Sequence, residues 1–238
     1  MKMTQRYKNL QREAYLANKK LHLTGLVKFS FGNVSVVDRS RQVMAIKPSG
    51  VAYTELKESD IVVVDFNGKV ISGTLRPSSD TLTHLAILKS FLHANSVVHT
   101  HSPMATAFAQ AGVALKCLGT THADYFAGDV PVTRRLSDKE IKSSYERNTG
   151  QVILETFNSK DSKATPAVLV HSHGPFTWGA DWGAAIENAE ALEYCAHIAL
   201  LALKINPKTL KISETLHNKH FSRKHGLHSY YGQILDRP

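Results

Sequence analysis

The 238 residues carry 42% hydrophobic side chains, a formal charge of +9 and two cysteines, the composition of a globular chain long enough to bury a full core. No uncharged apolar run approaches the roughly 20 residues of a membrane span, residues 1–6 hold no apolar signal segment, and Cys117 and Cys195 form no metal or redox spacing. These features point away from membrane and disulfide-framework classes and predict one soluble, cytoplasmic domain over 1–238, undivided by linker or repeat.

In chain order, Tyr7, Leu10, Ala14, Ala17 and Leu21 fall at helical spacing and predict an opening amphipathic helix. Strands follow over 34–37 and 43–46, then over 61–66 and 69–71 across Asn67-Gly68, a strong hairpin signal. Residues 80–92 read as a helix with Leu82, Leu85, Leu88 and Leu92 on its buried side. Further helices are expected over 103–111, 138–148, 181–204 and 208–224, with a loop over 158–165. Hairpins dominate the first half and helices the second. The pattern predicts an α/β fold, a three-layer α/β/α sandwich on a largely antiparallel sheet.

The chemistry-bearing residues sit where these elements end. His99-Thr100-His101 and His171-Ser172-His173 each close an apolar run that reads as a buried strand. Strand alternation would send both histidines of a pair to one side, the arrangement a divalent ion needs. Pro77-Ser78-Ser79-Asp80-Thr81 opens a helix, where free N–H groups, a partial positive charge and two hydroxyls suit a phosphate. Phe31-Gly32-Asn33 and Lys47-Pro48-Ser49-Gly50 are turns that would complete such a cradle if the fold brings them together. The basic stretch 217–225 reads as a solvated helix end and fits no nucleic-acid motif, so the positive charge suits a small phosphorylated substrate. No two glycines are separated by one residue, which excludes a G-x-G-x-x-G dinucleotide fingerprint, and neither a P-loop nor an H-E-x-x-H helix is present.

Together with Gly119-Thr120-Thr121-His122-Ala123-Asp124-Tyr125-Phe126 and Lys224-His225-Gly226 followed by Tyr230-Tyr231-Gly232-Gln233, these motifs resemble the L-ribulose-5-phosphate 4-epimerases of the class II aldolase and adducin-head superfamily. They run in that family's order from residue 32 to residue 233. The resemblance implies one zinc ion per subunit on His99, His101 and His173, with Asp80 as a further ligand, although imidazole sites also accept other divalent transition metals. Alternation alone does not choose between His171 and His173; the family pattern selects His173. The resemblance further implies phosphate binding by Gly32, Asn33, Ser49, Gly50, Ser78 and Ser79 with Lys47 and Thr120 nearby. It makes Asp124 and Tyr231 the acid/base pair, supported by Glu146 and His220, in a homotetramer with sites at subunit interfaces.

In the implied substrate the carbonyl is at carbon 2 and inversion occurs at carbon 4, whose hydrogen is not alpha to the carbonyl. Direct deprotonation would leave an unstabilised carbanion. The economical route breaks the bond between carbons 3 and 4 in a retro-aldol step, lets the aldehyde rotate and re-forms the bond on its other face. That route needs one proton-handling group for each face. Two other readings within the superfamily stand beside this one: a class II sugar-phosphate aldolase, which tends to have Glu at the position of Asp80 and lacks the Thr-His-Ala-Asp-Tyr segment, and a non-catalytic adducin-head-like binding module, which would not need the zinc histidines.

Overall fold

The computed structural model describes residues 6–226 and 229–230. Seven strands, β1 (Asn33–Asp38), β2 (Val43–Ile46), β3 (Val62–Asp65), β4 (Val70–Ser72), β5 (Ser96–His99), β6 (Ala167–Leu169) and β7 (Pro175–Gly179), form one sheet in the order β4-β3-β2-β1-β5-β7-β6. Every strand pairing in it is antiparallel. Both faces are buried, and the period of two divides their side chains cleanly. Val97 joins Met44, Ile46, Val62 and Val64 on one face, whereas Val98 and Val34 point to the other with Val43, Ala45 and Val63. Each fully buried valine contributes about 1.5–3 kcal/mol.

Helices cover both faces. On the first lie α2 (Thr81–Ser90) and α5 (Asp138–Thr156), supplying Leu85, Ile87, Leu88 and Ile153. On the second lie α1 (Lys8–Leu23), through Ala14, Ala17 and Leu21, and α6 (Trp182–Ile205), through Ala185, Ile186 and Ala189. Outside α6 pack α3 (Pro103–Ala111) and the short α4 (Thr120–Ala123), and α7 (Glu214–His225) rests on α4. The layers are those expected from the sequence.

Four local expectations change. The second His-x-His does not lie on a strand: β6 stops at Leu169, and Ser172 adopts a left-handed φ of 62° in the turn before β7. That turn sends the two imidazoles apart. The 80–92 helix ends at Ser90, so Leu92 is 72% exposed, and Phe91 takes the core position against Phe157 and Trp178. The 138–148 helix continues to Thr156 across a kink at Ser144, and Gly150 lets it approach α2, since a Cβ there would lie 2.6 Å from the Ala86 Cβ. The last helix begins at Glu214 rather than at 208, where the Ser213 hydroxyl accepts the Leu216 N–H.

Candidate metal and anion site

Sheet register assembles the site. Asn33 at the start of β1, His99 at the end of β5 and Phe176 near the start of β7 are direct neighbours across three strands. The Phe176 ring stacks on His99 with centroids 4.2 Å apart, and the His99 Nδ1–H donates to the Pro175 carbonyl at 2.9 Å. This bond fixes the tautomer, leaving the Nε2 lone pair free. His101 lies two residues past the strand end, in the loop that leads into α3. Glu193 of α6 holds that loop from behind, its two carboxylate oxygens accepting the Met104 and Ala105 N–H groups at 2.9 Å each.

His99, His101 and His173 offer ligand nitrogens that all lie within 4.8 Å of one another. The Nε2 atoms of His99 and His101 are 3.1 Å apart. Desolvation pushes the His101 imidazole below its ordinary pKa and that of His173 down to about 3, so both are neutral donors at pH 7. The His99 Nε2 lone pair faces His101 Nε2, and the buried His173 Nδ1 has no partner among the described residues, so three imidazole nitrogens converge where one cation would be shared. The donor set fits a divalent metal ion. His171 is not part of it: its Nε2 accepts from Arg135 Nε at 3.2 Å and its Nδ1–H donates to Ser172 Oγ at 2.7 Å.

Asp80 holds the N-cap position of α2 without capping it. Its Oδ2 instead accepts from Asn33 Nδ2 at 2.7 Å and from Ser78 Oγ at 3.3 Å, beside the histidines but outside their close group. Burial pushes its carboxyl up, and the neighbouring His99 and His84 with the Asn33 bond more than offset this, leaving it below the usual carboxylate range. His84, fully buried beneath, shares a 2.8 Å hydrogen bond with Ser35 Oγ.

The two expected cradle loops meet through backbone bonds, Ser49 N–H to Arg76 O at 3.0 Å and Ser78 N–H to Lys47 O at 3.1 Å. Gly32 makes the third side possible: at φ +78°, a Cβ there would lie 2.7 Å from the His99 carbonyl. A cavity of about 370 Å³ results, lined by Gly32, Asn33, Lys47, Ser49, Gly50, Ser78 and Ser79 together with Asp80 and the three histidines. Lys47 supplies its cation. The side chain is 1% exposed, lies 4.8 Å from the Tyr53 ring centroid and donates only weakly, to Ser30 O at 3.3 Å and Pro48 O at 3.5 Å. Burial lowers its pKa to about 8.

The remaining expected residues lie elsewhere. Asp124 follows α4, where Arg223 and His220 of α7 bind its carboxylate. Thr120 begins α4 and accepts the Asp124 N–H through its carbonyl. Glu146 lies on α5, its carbonyl accepting from Thr83 Oγ1 at 2.7 Å. None of these lines the histidine cavity, and Tyr231 falls outside the described residues. A larger cavity of about 550 Å³, between Trp178, Glu187 and Lys224, contains none of the expected site residues. Sequence reasoning missed Arg223, hidden in a helix that reads as solvated, and Tyr145, whose ring centroid is 6.2 Å from that of His173 because α5 lies so close to α2. No helix among the described residues is long and apolar enough to cross a membrane.

Comparison with known proteins gives the family and the fold. Residues 12–200 match the class II aldolase and adducin N-terminal domain. The chain is 52% identical over 224 residues to L-ribulose-5-phosphate 4-epimerase UlaF of Salmonella paratyphi B, covering 94% of this chain and 98% of that protein. Among solved structures it resembles an L-fuculose 1-phosphate aldolase at 30% identity and a TM-score of 0.75, over 89% of this chain and 94% of that one. The L-fuculose 1-phosphate aldolase of Glaciozyma antarctica shares the fold at 20% identity and a TM-score of 0.72, over 90% and 81%.

Proposed function

Because the chain belongs to the class II aldolase and adducin family, we propose that it is a zinc-dependent L-ribulose-5-phosphate 4-epimerase, interconverting L-ribulose 5-phosphate and D-xylulose 5-phosphate. One observation carries the reading: a single cavity joins a three-histidine donor set to a phosphate-sized cradle with a buried cation. A sugar phosphate anchored at one end thus has its reacting carbons beside the other. The high identity to a named epimerase supports the choice of substrate.

His99, His101 and His173, with Asp80 beside them, would hold the ion. When bound, it supplies Lewis-acid charge for the oxygens of carbons 2 and 3. The protein's own groups do the rest. Lys47 and the hydroxyls of Ser49, Ser78 and Ser79 hold the phosphate, so that after retro-aldol cleavage glycolaldehyde phosphate stays tethered while its carbonyl turns. Cleavage transfers the carbon 4 hydroxyl proton to a base, and re-addition on the opposite face returns a proton from a second group. Asp124 and Tyr231 are the pair proposed for these faces. Burial raises the Asp124 carboxyl, but hydrogen bonds from Arg223 and His220 outweigh burial and keep it ionised, as a proton acceptor must be.

Asp124 sits apart from the histidine cavity of its own chain, so we place it, with Tyr231, in the site of a neighbouring subunit within a cytoplasmic homotetramer. The likeness to an L-fuculose 1-phosphate aldolase favours a second reading, aldol cleavage with release of both fragments. A coupled assay for D-xylulose 5-phosphate, run with and without chelator, separates the two. The epimerase reading predicts turnover that chelator abolishes and zinc restores, whereas accumulation of free aldehyde without xylulose phosphate would establish the aldolase.

A further inference from the structure

Phe31 immediately precedes the Gly32-Asn33 segment and lines the same cavity. Its ring centroid lies 5.7 Å from that of His101 and 5.9 Å, edge to face, from that of Phe29. Both phenylalanines face solvent, Phe31 at 55% and Phe29 at 79% exposure, and Phe29 holds a φ of 56°, a left-handed conformation that aromatic residues rarely adopt. A turn closed by the Phe31 N–H on the Lys28 carbonyl at 3.1 Å keeps the segment in place. Exposed apolar surface contributes nothing to folding and a strained backbone opposes it, and their coincidence at the mouth of a polar cavity calls for a functional reason.

We propose that Phe31 is a specificity-determining residue: it walls in the aldehyde fragment and sets the ratio of epimerisation to fragment release. This rests on the epimerase reading. The phosphate is held at the cradle and the three-carbon fragment at the histidines, so the aldehyde carbon must turn in the space between. Asn33, Ser78 and Asp80 on the cavity wall would each hydrogen-bond to a carbonyl or hydroxyl and favour one orientation. An aromatic face makes no such directional bond and lets the aldehyde present either side. The ring also covers the mouth. If water enters, carbon 3 of the enediolate takes a proton, the carbon 4 hydroxyl having already given one to the base. The sugar phosphate then leaves as dihydroxyacetone and glycolaldehyde phosphate, with no change in overall composition and no re-formed bond.

The test compares wild type with Phe31→Ala and with Phe31→Leu, which keeps apolar bulk. Free glycolaldehyde phosphate and D-xylulose 5-phosphate are quantified in the same reaction, and binding of inorganic phosphate to metal-free protein is measured by calorimetry. Phe31→Ala should raise aldehyde released per epimerisation at least about tenfold, equivalent to ~1.4 kcal/mol in partitioning, with Phe31→Leu intermediate and phosphate affinity unchanged. Wild-type partitioning in both variants overturns the proposal. Partitioning that shifts only in step with lost phosphate binding also overturns it, because the cradle would then be the cause. A wild type that does not epimerise at all fails instead at the parent reading and removes the proposal with it.

Discussion

Arg223 grips Asp124 with a forked pair of hydrogen bonds, Nε to Oδ1 at 3.1 Å and Nη2 to Oδ2 at 2.8 Å, while His220 Nδ1 donates to the same Oδ1 at 3.1 Å. Such bidentate, charge-assisted contacts hold a carboxylate ionised and fix its plane. A depressed carboxyl pKa means that the ionised form is kept until the pH falls through the folded-state value. Replacing Arg223 by Gln removes the fork, so the Asp124 pKa rises and the acidic limb of the kcat/KM profile moves to higher pH. A limb that stays in place would show that Asp124 does not set it.

The turn at Ser172 sends its two flanking histidines to different surroundings, His171 to Arg135 and Ser172 and His173 to His99 and His101. His173→Ala should lose the bound ion and activity together, because it removes one of three close donors. His171→Ala should keep the ion, since its imidazole bonds Arg135 and Ser172. Elemental analysis of both purified variants decides, and equal metal loss would contradict the assignment.

How far the site was legible follows from such details. The grouping of His99 with His101 and of the cradle loops is legible because these residues stand at or just past strand ends and at a helix start, although His101 itself lies in the loop after β5. The second pair departs from strand alternation because β6 ends two residues before His171 and Ser172 turns the chain with a left-handed φ of 62°. The meeting of the Lys47 and Ser78 loops depends on β-bridge pairing between segments 29 residues apart at Pro48 and Pro77, which no local pattern encodes. Arg223 was invisible for a related reason. Its partner Asp124 lies 99 residues away, so nothing in the basic helix sequence marks it.

Lys47 is a buried cation with only weak carbonyl partners and a pKa lowered to about 8. Between pH 8 and its ordinary 10.5 the unfolded chain keeps a proton that the folded chain has lost, so stability rises with pH across that window. Phosphate affinity should run the other way and weaken as pH rises through about 8. Lys47→Met should lower kcat/KM about 10- to 100-fold, the worth of a charged hydrogen bond, and flatten this pH dependence. The same variant should melt higher at pH 7, because an unpaired buried charge is removed. Calorimetry and pH-dependent kinetics check the two halves; a variant that melts lower would contradict the cost assigned to the buried charge.

If Asp124 serves a neighbour's cavity, His99→Ala and Asp124→Asn chains, each inactive alone, should complement when refolded together. A working site needs intact histidines from one chain and an intact Asp124 from the next. Random equal mixing around a ring makes about one interface in four competent. Activity near that fraction supports shared sites. No activity in mixtures that native mass spectrometry shows to contain hybrids would return Asp124 to its own chain's site.

In the proposed reaction carbon 4 is inverted by breaking and re-forming the bond to carbon 3, within a cavity that would hold a metal at one end and the phosphate at the other. The most direct measurement uses L-ribulose 5-phosphate bearing deuterium on carbon 4, with the zinc-loaded protein in ordinary water. Carbon–carbon cleavage never touches that hydrogen, so the account predicts D-xylulose 5-phosphate with its carbon 4 deuterium fully retained. Product formed with deuterium lost to solvent would mean proton abstraction at carbon 4 and would contradict it.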